Sequence, residues 1–134
     1  RYTQNMMIQK IIAYWRTSAE RNWETAQGLF KLKRYDACLF FCHLALEKLL
    51  KGLVAQTTQE PAPFIHDLAK LAALAKSLPT PEQVAKLRTI TTFNIAARYD
   101  DIKLAFYKQC TPAYTKKYFD ETKKLFLWLK KNYQ

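Results

Sequence analysis

The stretch Arg34–Gln56, RYDACLFFCHLALEKLLKGLVAQ, is the most hydrophobic run in the chain and constrains the fold more than any other. Projected at the helical repeat, Leu39, Cys42, Leu46, Leu49, Leu50 and Leu53 fall on one face, which predicts an amphipathic helix. Its first half is apolar nearly all round, because Phe40, Phe41 and Leu44 fill the other side. Charge returns only with Glu47, Lys48 and Lys51. A helix apolar on both sides belongs at the centre of a bundle or in an interface between two copies. It is not a membrane span: the apolar part, Ala37–Leu46, is too short and contains His43.

The flanking segments carry the same period. A first helix is expected from about Gln4 to Lys31, with Trp15, Ala19, Trp23, Ala26 and Phe30 as its stripe; the small alanines let a neighbouring helix come close. Met6, Met7, Ile8, Ile11 and Ile12 extend the apolar character upstream, toward a second subunit. The short connection Lys31–Arg34 makes the first two helices antiparallel neighbours. Thr57–Ile65, with Pro61 and Pro63, reads as a loop. Leu68, Leu71, Leu74, Ala75 and Leu78 then mark a third helix, with Asp67 as its N-cap. After Pro79, Thr80 and Gln83 fit a capping box with Pro81 at the first helical position. The fourth helix carries Val84, Leu87, Ile90, Thr91 and Ile95. Ile102–Cys110 reads as a loop or a short helical turn. Thr111-Pro112 opens a last helix to about Asn132, whose inner stripe is Tyr118, Thr122, Leu125, Phe126, Leu129 and Tyr133. Two glycines and the lack of β-branched alternation argue against a sheet. The expectation is one domain over 1–134, all-α, an up-and-down four-helix bundle with an additional short helix.

The chain holds 22 Lys and Arg against 11 Asp and Glu, a net charge of +11. Such a surface favours polyanions, although a lysine-rich solvated surface would look the same. Lys116-Lys117, Lys123-Lys124 and Lys130-Lys131 recur every seven residues on the outer face of the last helix. A solvated face is the ordinary meaning of such a stripe. Leu127 and Trp128 beside it suit either a nucleobase or a protein contact. Phe40, Phe41, Leu127 and Trp128, read as exposed, would equally serve an interaction scaffold. Cys38, Cys42 and Cys110 are odd in number and read as buried thiols, which suits the cytoplasm; no signal peptide or spanning segment is recognisable. Cys38 and Cys42 share a face but His43 points elsewhere, a spacing that matches no common zinc pattern; no metal and no cofactor are expected.

From about Trp15 to Lys131 the chain resembles the HEPN domain (higher eukaryotes and prokaryotes nucleotide-binding). The resemblance rests on the small residues Ala19 and Ala26, the turn Tyr35-Asp36-Ala37, the run Glu47-Lys48-Leu49-Leu50-Lys51, a loop closing in His66-Asp67-Leu68, and Ala97-Arg98-Tyr99-Asp100-Asp101. The last is similar to the Ala-Arg-Tyr-Pro-Asp signature of many such domains. Asp100 stands where that family usually has proline, which frees the backbone and removes the sharp stop a proline imposes.

The resemblance implies a small dimerising protein, often paired with a minimal nucleotidyltransferase in a toxin–antitoxin-like or nucleotide-handling module. Its phosphate-binding candidates are Arg98, Tyr99, Asp101, Lys103 and Tyr107. A guanidinium offers phosphate a rigid bidentate fork, and a tyrosine can stack on a base or donate its hydroxyl. The plainer alternative is a helix C-terminus at which Arg98 complements the dipole and pairs with Asp101. Glu47 and Lys51 read as an exposed strip with an intrahelical ion pair, and His66 as a capping-turn residue. Ribonucleases of the family resemble one another in an Arg-x(4–6)-His pattern, which needs histidine as a proton shuttle. Here Arg98 is followed at that spacing by Lys103, Leu104 and Ala105, and Arg88 by Phe93, Asn94 and Ile95. No catalytic residue is therefore assigned. The expected function is non-catalytic binding of a nucleotide or RNA by a homodimer. The alternatives are a divergent metal-independent endoribonuclease and an interaction scaffold.

Overall fold

The computed structural model describes residues 2–134. Among them lie six helices and no strand: α1 (Tyr2–Lys31), α2 (Tyr35–Thr58), α3 (Leu68–Leu74), α4 (Pro81–Ala96), α5 (Asp100–Gln109) and α6 (Pro112–Lys130). The four long helices form the expected up-and-down bundle. The segment left open between loop and helix is α5, a second short helix beside α3.

The chain turns from α1 into α2 through Lys33, which adopts the left-handed conformation at φ 60°. Arg34 N–H then donates to the Leu29 carbonyl at 2.9 Å, satisfying a group the helix end would leave open. The antiparallel register follows from the contacts. Cys38 Sγ donates to the Ala26 carbonyl at 3.3 Å near one end, Lys51 lies over the Trp15 ring midway, and Ile8 and Ile12 pack on Ala55 at the other. Ala19 and Ala26 are fully buried, which is how two backbones can lie this close. The upstream isoleucines thus pack within the chain, while Met6 and Met7 are exposed.

α2 is the central rod. Leu39, Cys42, Leu46, Leu49, Leu50 and Leu53 are all buried, as the period predicts. Each such leucine stabilises the fold by about 1.5–3 kcal/mol relative to exposure. Phe40, Phe41 and Trp128 are half-buried rather than exposed, with Phe41 and Trp128 packed on the core; of the four expected surface contacts only Leu127 is exposed. α6 lies against α1 through stacked rings, with Phe119 centred 4.5 Å from Phe30 and 5.0 Å from Trp23. At its far end Tyr133 Oη donates to the Leu49 carbonyl at 2.6 Å and occupies the space a Cβ at Gly52 would need.

α3 and α4 begin where the capping residues say. Asp67 accepts from Lys70 N–H at 3.2 Å. Thr80 accepts from Gln83 N–H at 3.1 Å while Gln83 accepts from Thr80 N–H at 2.9 Å. α4 runs antiparallel to α6: Lys86 near its start pairs with Glu121 at 2.6 Å, and Phe93 near its end packs on Tyr118 and Tyr114. That direction delivers the residues after α4 to the first turns of α2, where Arg98 stands over the Phe40 ring, 6.0 Å from its centre.

Candidate functional site

α2 carries His43, Glu47 and Lys51 at four-residue spacing, so all three point the same way. The loop before α3 meets this row at His66, which bonds to both His43 and Glu47, while Trp15 of α1 lies against Lys51. Glu47 and Lys51 are each only 5% exposed, and His43 is fully buried. The expected Glu47–Lys51 pair is present, Lys51 Nζ to Glu47 Oε2 at 3.1 Å, but it is an internal pair and not a surface strip. A desolvated carboxylate needs several partners. Glu47 Oε1 finds another in His66 Nδ1 at 2.8 Å. His66 is therefore more than a turn residue: it ties the loop to the central helix.

The ring protons follow from these partners. A carbonyl only accepts, so His43 Nε2 carries the proton it donates to the His66 carbonyl at 3.0 Å. Its Nδ1 has no partner. Burial lowers the His43 pKa from its ordinary value of 6.5; the bond to the His66 carbonyl and the Glu47 charge oppose this, and His66 and Arg98 reinforce it. His66 in turn donates from Nδ1 to Glu47, and its side chain is half exposed.

Outside this buried cluster lies a cavity of about 470 Å³ lined by His66, Asp67, Thr91, Asn94, Ile95, Arg98 and Tyr99. Arg98 and Tyr99 belong to the short link between α4 and α5 and are exposed. Arg98 is two residues past the end of α4 and forms no ion pair with Asp101 or any other carboxylate among the described residues. Asn94, in the cavity wall, is only 5% exposed, and its Oδ1 has no hydrogen-bond partner.

A second cleft of about 510 Å³ lies on the other side of Phe40, lined by Asp36, Ala37, Phe40, Ala97, Asp100, Lys103, Leu104, Phe106 and Tyr107. The five candidate residues thus divide. Arg98 and Tyr99 share the first cavity, and Lys103 and Tyr107 share the cleft. Asp101 is exposed and lines neither. Lys103 Nζ is 3.6 Å from Asp100. His66, Asn94 and Glu47 are not among the phosphate-binding candidates of the sequence. The four-residue row from His43 through Glu47 to Lys51 is the available signal, since such spacing puts all three on one face.

The three cysteines are free and buried, and Cys38 and Cys42 lie within the core of α2. Burial pushes the Cys110 thiol up to about 12. Among the described residues no helix is long and apolar enough to cross a membrane.

No curated protein matches the chain. One solved structure, the crystal structure of TT1696 from Thermus thermophilus, is similar at 22% identity. The match covers 91% of this chain and 98% of that one, with a TM-score of 0.75, a likeness of fold. The family model of the HEPN domain matches residues 12–132, nearly the whole length, and the chain belongs to the HEPN domain family.

Proposed function

We propose that this protein binds a nucleotide or RNA through the cavity at the α4–α5 link, with Arg98 on phosphate and Tyr99 on a base or sugar. The observation that carries this reading is Arg98 itself: exposed, with no ion pair to a carboxylate among the described residues, and next to an exposed tyrosine at a cavity. The Arg98 guanidinium lies over the Phe40 ring, 6.0 Å from the centre, a contact that leaves the N–H donors to a ligand. The net charge of +11 supports a polyanionic ligand. Lys103 and Tyr107 extend the same chemistry into the neighbouring cleft, where a longer strand would run. A homodimer in the cytoplasm, working with a minimal nucleotidyltransferase, completes the proposal.

The test is a low-salt titration of a labelled short RNA, followed by fluorescence anisotropy. Arg98→Ala should weaken binding about tenfold or more, as expected for a charge-assisted hydrogen bond of about 1.5–3 kcal/mol. Equal affinity of the variant and the unmutated protein would remove the site.

A further inference from the structure

The cavity at the α4–α5 link has a second group that can carry positive charge. His66 lines it together with Arg98, and its side chain is half exposed. Glu47, inside the bundle, accepts from His66 Nδ1 at 2.8 Å. That bond decides which nitrogen is left for a ligand. Nε2 lies across the ring from Nδ1 and has no partner among the described residues. A proton added there makes an imidazolium, with a counter-charge on one side and a free N–H donor on the other.

The charged neighbours come from three elements. On α2, Lys51 shares the Glu47 carboxylate at 3.1 Å, and His43 stands 3.7 Å from it. Asp67, the carboxylate in the cavity wall, accepts from Lys70 N–H at 3.2 Å as the cap of α3. On the α4–α5 link, Arg98 and the Tyr99 phenol line the same cavity. The charges of Arg98 and His66 both reach the buried His43, whose pKa they help to lower. In the empty cavity the Arg98 charge opposes a second cation beside it. An anion held by Arg98 reverses that opposition and favours the proton.

We infer that His66 is the second cation of this site: the anion held by Arg98 also accepts from His66 Nε2–H, and the proton on that nitrogen is taken up as the anion binds. This rests on the binding reading above and adds to it a residue and a coupled proton. The ligand group is a phosphate oxyanion, which needs donors and offers none. Binding therefore weakens as pH rises and the imidazolium is lost.

The probe is a labelled short strand of uridines without a terminal phosphate, whose own charge is constant while an imidazole ordinarily titrates, from about pH 5.5 to about pH 8. It is titrated at fixed ionic strength, with circular dichroism confirming the fold at each pH. The unmutated protein should bind about tenfold more tightly at the acid end, the gain from one charge-assisted hydrogen bond. Calorimetry at neutral pH, in two buffers of different ionisation heat, should show net proton uptake on binding. The chain has 2 histidines, so two variants assign the proton. His66→Gln should bind at the weaker, alkaline affinity throughout, and His43→Gln should keep the full pH dependence; either variant decides if the other does not fold. An affinity of the unmutated protein that does not change with pH overturns the inference and leaves the Arg98 reading standing. So does a pH dependence that survives in His66→Gln or disappears in His43→Gln. If the strand binds at no pH, both proposals fall together.

Discussion

Glu47, itself buried, holds the buried Lys51 and the half-exposed His66, and His43 stands 3.7 Å from the same carboxylate. Removing one member of such a pair costs about 3–5 kcal/mol, because the remaining charge is left without water or partner. His43 leaves a clear trace in the pH dependence. Burial lowers its pKa below 6.5, the ordinary value that applies in the unfolded chain. Above about 6.5 both states are neutral and the contribution to stability is fully present. As pH falls below that point, the unfolded chain takes up a proton that the folded site resists, and stability drops. Urea unfolding across this range should show a shallower loss for His43→Gln than for the unmutated protein; parallel curves would mean that His43 titrates freely. The row His43, Glu47, Lys51 is legible as one helix face, but its burial is not. Nothing local to α2 says that the loop ending in His66 will fold back to meet it.

At the scale of elements, α5 is the instructive case. The absence of the family's proline at position 100 predicts a softer boundary, yet the helix ends at Ala96 and a new one begins at Asp100. Tyr99 lies between them with φ −103° and ψ 124°, the extended backbone that a following proline demands. Asp100 is the first residue of α5, where a proline loses no helical hydrogen bond. Asp100→Pro should therefore be tolerated, and should stabilise the fold by about 0.4–1 kcal/mol through the unfolded chain. The exposed Asp100–Lys103 pair it removes is worth little. A thermal melt checks this; a lower melting temperature would show that the link is not preformed. The N-caps at Asp67, Thr80 and Thr111 are all readable from the sequence. Capping is a contact between residues three apart, which a sequence displays directly.

At the scale of the whole molecule, the surface around the site is partly apolar as well as basic. Ile95, Tyr99, Leu104 and Tyr107 are exposed, the last two at 62% and 63%. These residues flank the two cavities, and the proposed homodimer would cover them if its axis passes there. Light scattering at micromolar concentration should then give twice the chain mass, and Leu104→Glu should reduce it to that of a single chain. A monomeric unmutated protein would end the dimeric reading without touching Arg98. The lysine face of α6 lies elsewhere, and part of it is spent on surface pairs within the chain: Lys130 bonds to Glu20 at 2.8 Å and Lys116 to Asp120 at 2.8 Å. By itself the sequence determined the four long helices, the N-caps at Asp67, Thr80 and Thr111, the central place of α2 and the placing of Arg98 and Tyr99 just after α4, but not α5 or the end of α3 at Leu74, short of the expected Ala75 and Leu78. What it determined follows from period and from short-range bonds. Only the tertiary structure decided that Glu47 is internal, that His66 and Asn94 share a cavity with Arg98, and that Asp101 stands apart. Glu47 and His66 lie 19 positions apart in the chain, and His66 and Arg98 lie 32 apart. No local pattern encodes such a meeting; it comes from the packing of rods whose directions are set by the whole bundle.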